Sequence, residues 1–390
     1  MNNEIALNLG EKSYKIRIGA GEINYLPDFL QQKNYSKIFI ITDENVARLH
    51  LAQLESILQG LNITTIKVAS GEQSKSFASL EKTCEEILQQ NVDRKSLIIA
   101  FGGGVVGDLA GFIASILLRG VDFIQVPTTL LACVDSSVGG KTAINSKSGK
   151  NLIGSFYQPK LVICDLNFLA TLPQREFRAG YAEALKYGLI DDAEFFDFLD
   201  QNLDKIFVID QNGSQKNFVA NKQNSQEILQ KTFTGDQKIL QKIITKSCEI
   251  KARIVSQDEK ENGVRALLNF GHTFAHSFEN ELNYSNDLLH GEAVGIGMLM
   301  AAKMSQNLGM IDSATFTIIK NHIEKSGLNF DLRKIRNNWD HKNLIAHLYK
   351  DKKTEHQNLT FILLEKIGEA AVKKSVDVGE FAKVLVDFVG

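Results

Sequence analysis

The stretch SLIIAFGGGVVGDLAGFIASILL, residues 96–118, decides the fold. Six largely apolar residues read as a strand, the glycine run as a turn, and the long apolar segment after Asp108 as a helix. The turn contains G-x-G-x-x-G at Gly102, Gly104 and Gly107. Without Cβ atoms its backbone N–H groups can approach a pyrophosphate, and the helix start adds positive partial charge. Upstream, KIFIIT (37–42), a helical pattern from Glu44, TTIKVAS (64–70) and another helical pattern from Phe77 repeat the strand–helix alternation. That alternation predicts βα units and a parallel sheet, whose ligands collect beyond the carboxyl ends of the strands. Thr42-Asp43-Glu44, Ser70-Gly71-Glu72 and Gly102–Gly104 all fall at such ends.

This glycine turn is not in the first βα unit, and Asp122 begins the next strand where a dinucleotide fold would end it on a ribose-binding acid. Asp43 and Glu72 are therefore the ribose candidates, with Lys75 available for charge, although each acid could equally cap a helix.

The chain has 390 residues, a formal charge of −2 and 44% apolar content, which predicts a globular protein of two domains. A near-neutral balance argues against nucleic acid or a membrane surface as the main partner. The N-terminus lacks a basic-then-apolar leader and no run is long enough to span a bilayer, so the expected location is the cytoplasm. Cys84, Cys133, Cys164 and Cys248 lack any C-x-x-C spacing and read as buried free thiols. No proline follows Pro173, which suits long helices. The expected architecture is α/β: a Rossmann-like parallel-sheet domain (1–172), then a mostly α-helical metal- and substrate-binding domain (173–390), with the active site in the cleft between them. Residues 202–234 read as a solvated insertion, and 358–376 as a peripheral strand–turn–strand before a final helix from Gly379 to Phe388.

Three of the eight histidines, His272, His276 and His290, fall within 19 residues. His272 and His276 are spaced i, i+4 and share a helical face, but no glutamate stands between them as in the H-E-x-x-H of metalloproteases. A catalytic zinc keeps three protein ligands and an open position, so His290 and Glu183 are the further candidates. Glu183 and Lys186 lie at i, i+3 among Tyr181, Ala182, Ala184, Leu185 and Tyr187, which points to a buried or cleft-facing pair. His50, His322, His341, His347 and His356 stand in polar surroundings and receive no role. Two glycine-punctuated loops, 135–145 and 149–154, carry Lys141, Lys150 and Asn151; with Lys251, Arg265 and the Asp351-Lys352-Lys353 run they suit a doubly anionic substrate.

Taken together, GGGVVGDLAGF, LRGVDFIQVPTTLLACVDSSVGGKTAIN, GKNLIGSFYQP, AEALKYG, RALLNFGHTFAH and HGEAVGIGM resemble the 3-dehydroquinate synthase family of sugar-phosphate cyclases, in the family's order. The resemblance implies a lyase of the shikimate pathway that converts 3-deoxy-D-arabino-heptulosonate 7-phosphate into 3-dehydroquinate and phosphate. The implied route is transient oxidation by NAD+, β-elimination of phosphate, re-reduction, ring opening and an aldol closure. It implies Zn2+, or Co2+ or another divalent metal, on Glu183, His272 and His290, which releases His276 for the substrate. It implies NAD+ contacts by Asp43, Glu72, Lys75, Gly103, Gly104, Val105, Asp108, Thr128, Thr129, Lys150, Phe168, Thr171, Leu172 and Glu176. It implies substrate contacts by Asp135, Lys141, Lys150, Asn151, Lys186, Lys251, Arg265, Asn269, His276 and Lys352, with Arg119 reaching the neighbouring subunit of a homodimer. Another NAD- and zinc-dependent cyclase, or a zinc-dependent polyol dehydrogenase, is the alternative.

Overall fold

The computed structural model describes residues 4–207, 236–328, 331–351 and 359–389. The chain divides into two compact units, Met1–Gln174 with Ile209–Lys260, and Arg175–Val208 with Glu261–Gly390. The single cut expected at 172/173 is thus corrected, because the chain returns to the first unit.

Among its described residues the first unit has nine strands: β1 (Glu4–Leu7), β2 (Tyr14–Gly19), β3 (Ile38–Asp43), β4 (Ile63–Val68), β5 (Leu97–Gly102), β6 (Asp122–Pro127), β7 (Lys141–Ser146), β8 (Gly149–Phe156) and β9 (Leu161–Asp165). Seven form one sheet in the order β1-β2-β9-β6-β5-β3-β4, parallel throughout except for β1, which pairs antiparallel with β2. Strand residues alternate between two faces, and both faces are apolar here. Ile38, Ile40, Leu97, Ile99 and Phe101 enter one core, while Phe39, Ile41, Ile98 and Ala100 enter the other. The chain runs from β3 to β4 on one side and returns to β5 on the other. The β3–β5 junction is therefore the switch point, where the loops part and leave a crevice.

β7 and β8 form a separate antiparallel hairpin, tied back by the Asn145 N–H donating to the Lys75 carbonyl at 2.8 Å. The helix Gln237–Gln257 completes this unit; Gln241 Nε2 donates to the Ile18 carbonyl of β2 at 3.0 Å. Cys133, Cys164 and Cys248 are buried free thiols and Cys84 is half-buried.

The second unit is helical, led by Gln174–Ile190, His272–Glu281 and His290–Asn307. Two strands, β10 (Leu359–Lys366) and β11 (Glu369–Val376), precede the helix Val378–Val389. The hairpin is not peripheral as expected: Leu359, Phe361, Leu363 and Leu364 are core residues, and the Leu364 N–H donates to Ser305 Oγ at 2.9 Å. Of the polar stretch 202–234, the start is folded, with Leu203–Ile206 helical and Leu203, Ile206 and Phe207 buried; residues 208–234 lie outside the described residues, as do Lys352, Lys353 and His356.

Candidate metal centre and nucleotide crevice

Three helices of the second unit approach each other where glycine removes the side chain that would hold them apart. A Cβ at Gly291 would run into the Ala179 carbonyl, and one at Gly297 into the Gly271 carbonyl. Gly291 follows His290, and Ala179 lies one turn before Glu183, so the close approach brings these two functional side chains together. Ligand atoms of Glu183, His272 and His290 lie within 4.8 Å of one another. Both histidines turn Nε2 toward Glu183 Oε1, His272 at 3.5 Å and His290 at 3.4 Å.

Second partners fix the ring orientations. His272 Nδ1 lies 3.1 Å from the Phe270 carbonyl, a geometry that keeps the proton on Nδ1 and leaves Nε2 with its lone pair. Burial alone would raise the Glu183 carboxyl, but Lys186, His272 and His290 outweigh it and hold it well below the usual carboxylate range. The Lys186 ammonium is 2.5 Å from Oε2, yet neither Glu183 oxygen has an aligned hydrogen-bond donor, so this is charge pairing that leaves acceptor capacity. Burial lowers His272 against the pull of Glu183. For His290 burial is outweighed by Glu279 and Glu183, which push it up to about 10. A buried carboxylate with undirected lone pairs between two imidazoles is a donor set that suits a divalent zinc-like ion.

His276 stands on the same helix face as His272, ring centroids 5.7 Å apart, beside the cluster rather than in it. Arg265 and Asn269 come from the short helical turn Val264–Asn269; Arg265 is buried and Asn269 Nδ2 donates to Glu261 Oε1 at 2.5 Å. Glu176, on the first turn of the Gln174–Ile190 helix, belongs to this unit, whereas the other residues expected at NAD+ belong to the first.

In the first unit, Gly103 and Gly104 open the helix Gly104–Ile116 at the end of β5. A Cβ on Gly103 would press on Thr129 Cγ2 at 3.0 Å, and one on Gly104 on Ser136 Oγ at 2.9 Å, so a side chain at either position would have to displace its neighbour. The hydroxyls of Thr42, Thr128 and Ser136 are buried without hydrogen-bond partners around this turn, which fits a polar ligand arriving there. Asp43 caps the turn after β3, accepting from the Asn45 and Val46 N–H groups.

Glu72, Lys75, Asp108, Asn145 and Asn151 form one network. Lys75 Nζ is 2.6 Å from Asp108 Oδ2 and also donates to Asn151 Oδ1; Asn145 Nδ2 donates to Glu72 Oε1 at 2.8 Å. Burial would lower the Lys75 ammonium, but Asp108 and Glu72 raise it. Lys251 pairs with Asp135 at 2.9 Å, both in this unit. Lys141 begins β7 and Lys150 lies at the start of β8. Phe168 packs edge-on against His50, whose Nε2 is 2.7 Å from Thr171 Oγ1. Arg119 is exposed with φ of 68°, next to Leu118 at 50°.

Two histidines read as surface residues are in fact buried. His50 makes the contacts just given, and His322 sits between Tyr181 OH at 2.9 Å and Asp200 Oδ1 at 2.8 Å. Sequence reading also passed over Arg175, Glu279 and Glu292. Arg175 clamps the buried Glu292 through Nε and Nη2 at 2.5 and 2.7 Å, and Glu292 Oε2 accepts the Leu289 N–H at 2.8 Å, capping the helix that begins at His290. The signal was present, because glutamate two residues after a helix-opening histidine reads as an N-terminal cap.

The fold, a parallel-sheet unit and a helical unit, is shared with solved cyclases and with a probable glycerol dehydrogenase from Sinorhizobium meliloti 1021. It matches a solved 2-deoxy-scyllo-inosose synthase complexed with carbaglucose-6-phosphate, NAD+ and Co2+, at TM-score 0.83 and 23% identity over 99% of both chains. It likewise matches ValA, a 2-epi-5-epi-valiolone synthase from Streptomyces hygroscopicus subsp. jinggangensis 5008 with NAD+ and Zn2+ bound, at TM-score 0.80 and 24% identity over 98% of both. Family models for the 3-dehydroquinate synthase N-terminal and C-terminal regions match residues 65–179 and 213–354. A 3-dehydroquinate synthase of Caulobacter vibrioides (strain NA1000 / CB15N) is 43% identical over 392 residues, 99% of both chains. The chain belongs to the 3-dehydroquinate synthase family.

Proposed function

We propose that the family's reaction, conversion of 3-deoxy-D-arabino-heptulosonate 7-phosphate into 3-dehydroquinate and phosphate, runs on two half-sites of this chain. The carrying observation is the meeting of Glu183, His272 and His290 in a chain of this family. Glu183, His272 and His290 would hold Zn2+, with Co2+ as a substitute, and the β3–β5 crevice would hold NAD+. When bound, the metal supplies Lewis acidity at the substrate's alcohol and ketone, and NAD+ supplies reversible hydride acceptance.

The NAD+ set is Asp43, Glu72, Lys75, Gly103, Gly104, Val105, Asp108, Thr128, Thr129, Lys150, Phe168, Thr171, Leu172 and Glu176. Asp43 and Glu72 accept the ribose hydroxyls, while Gly103 and Gly104 offer N–H groups to the pyrophosphate at the helix start. Lys150, Asn151, Lys251, Arg265 and His276 cradle the substrate phosphate, cations and amide offering charge-assisted hydrogen bonds that strengthen as the dianion departs. Lys251 is already oriented by Asp135, which supports its use. His276 donates or takes the proton at its ring nitrogen instead of binding metal. Lys141, Lys186, Asn269 and Lys352 hold the carboxylate and hydroxyls. Arg119, exposed on its left-handed turn, serves the neighbouring subunit's substrate in a homodimer. Among the described residues no helix is long and apolar enough to cross a membrane, and we place the enzyme in the cytoplasm.

The test supplies the heptulosonate phosphate and follows free phosphate with NAD+ below stoichiometry, with and without chelator. Phosphate release over many turnovers, abolished by chelation and restored by Zn2+ or Co2+, is expected. Steady accumulation of NADH in step with turnover would instead establish a polyol dehydrogenase.

A further inference from the structure

We infer that Glu279 is a positioning residue of the metal centre, holding the His290 ring through Nδ1 so that Nε2 faces Glu183. This rests on the metal reading above and concerns a residue outside the ligand set. Glu279 lies on the His272–Glu281 helix, seven residues after His272 and three after His276, so all three project from one face. Its carboxylate is 3% exposed and spans the ring nitrogen almost evenly, Oε1 at 3.3 Å and Oε2 at 3.4 Å from His290 Nδ1. Opposite it, Nε2 of the same ring lies 3.4 Å from Glu183 Oε1, so the imidazole bridges two buried carboxylates.

The contrast with His272 shows that charge is being used as well as orientation. A neutral backbone carbonyl, that of Phe270, suffices to fix His272. A buried carboxylate costs far more to desolvate than a carbonyl, so its presence at His290 calls for a compensating positive charge. In the ligand set, the negative charge of Glu183 is offset by Lys186 at 2.5 Å. A divalent ion added there would lack a counter-charge, and Glu279 supplies one through His290 while making that imidazole the stronger donor.

The test compares Glu279→Gln, which keeps shape and an acceptor but loses the charge, with Glu279→Leu, which loses both. Zinc dissociation constants are measured by competition with a chromophoric chelator, visible spectra are taken on the cobalt-loaded proteins, and the metal-free proteins are melted. Zinc affinity is expected to fall about tenfold for Glu279→Gln and about a hundredfold for Glu279→Leu, with the cobalt bands altered in both. Unchanged zinc affinity and cobalt spectrum in Glu279→Gln overturns the inference, even if Glu279→Leu fails to fold. So does a lowered melting point of the metal-free variants with native cobalt bands at saturation, which would mark a packing role alone. If Glu183→Ala loses zinc while both Glu279 variants keep it, this inference fails and the metal reading stands; if the parent protein binds no zinc, both fail.

Discussion

At the residue scale the two half-sites show opposite ways of keeping buried charge. Glu183 has no aligned donor and is held anionic by surrounding cations and imidazoles, an arrangement suited to a metal. Asp108 is instead raised by burial and pulled back by Lys75, with which it forms a direct ion pair at 2.6 Å. In both, removing one member strands a buried charge. Lys75→Met leaves Asp108 without its cation and should cost about 3 kcal/mol in urea unfolding, since a half-broken buried pair is worse than none. Lys75→Met combined with Asp108→Leu should recover most of that loss; failure to recover it would mean the pair is not coupled. Glu183→Ala should lower the stability of the metal-free protein by about 3 kcal/mol, because it strands the buried Lys186 ammonium, and should also abolish stoichiometric zinc and turnover. Zinc retained by the variant on dialysis, read by elemental analysis, would remove Glu183 from the ligand set.

At the element scale the metal centre depends on glycine more than on the histidines' spacing. Gly291→Ala places a methyl group against the Ala179 carbonyl, where backbone must yield instead of a rotamer. Overpacking of this kind costs about 1–3 kcal/mol or more, and it separates the helix bearing His290 from the one bearing Glu183. The expected outcome is weaker zinc binding out of proportion to the change in melting temperature; a variant with native affinity would show that the helices can slide without opening the cluster. Nothing in the sequence around Gly291 disclosed this contact, because its partner lies more than a hundred residues upstream. What was legible was local: alternating apolar residues in β3 and β5, the glycine turn, and i, i+4 histidines. The burial of His50 and His322, the return of the Gln237–Gln257 helix to the first unit and the core role of β10 depend on long-range packing, which polar neighbours in sequence conceal. His276 was separated from His272 only by the family's motif, since spacing allowed either histidine to bind metal.

At the scale of the whole molecule, buried neutral histidines tie stability to pH in both units. His50 in the first and His322 in the second are lowered below the ordinary imidazole value of 6.5, burial being the leading cause, with Asp200 opposing it at His322. A depressed folded value means that between it and 6.5 the unfolded chain binds protons that the folded chain refuses, so stability rises with pH across that window. The contribution is fully present above the unfolded value and is lost as pH falls through the folded one. Each such group can supply a slope of at most about 1.4 kcal/mol per pH unit. With zinc held by His272 and His290 as proposed, any acid release of the metal would be common to parent and variant. The difference between His322→Gln and parent therefore isolates His322. Glutamine can still accept from Tyr181 and occupy the space, at a cost of about 1–2 kcal/mol at pH 7 for imperfect hydrogen bonds. The variant should start lower and fall less between pH 6.5 and pH 5 in urea denaturation followed by circular dichroism. Parallel pH profiles for the two proteins would mean that His322 is protonated alike in the folded and unfolded states, and that burial between Tyr181 and Asp200 does not hold it neutral.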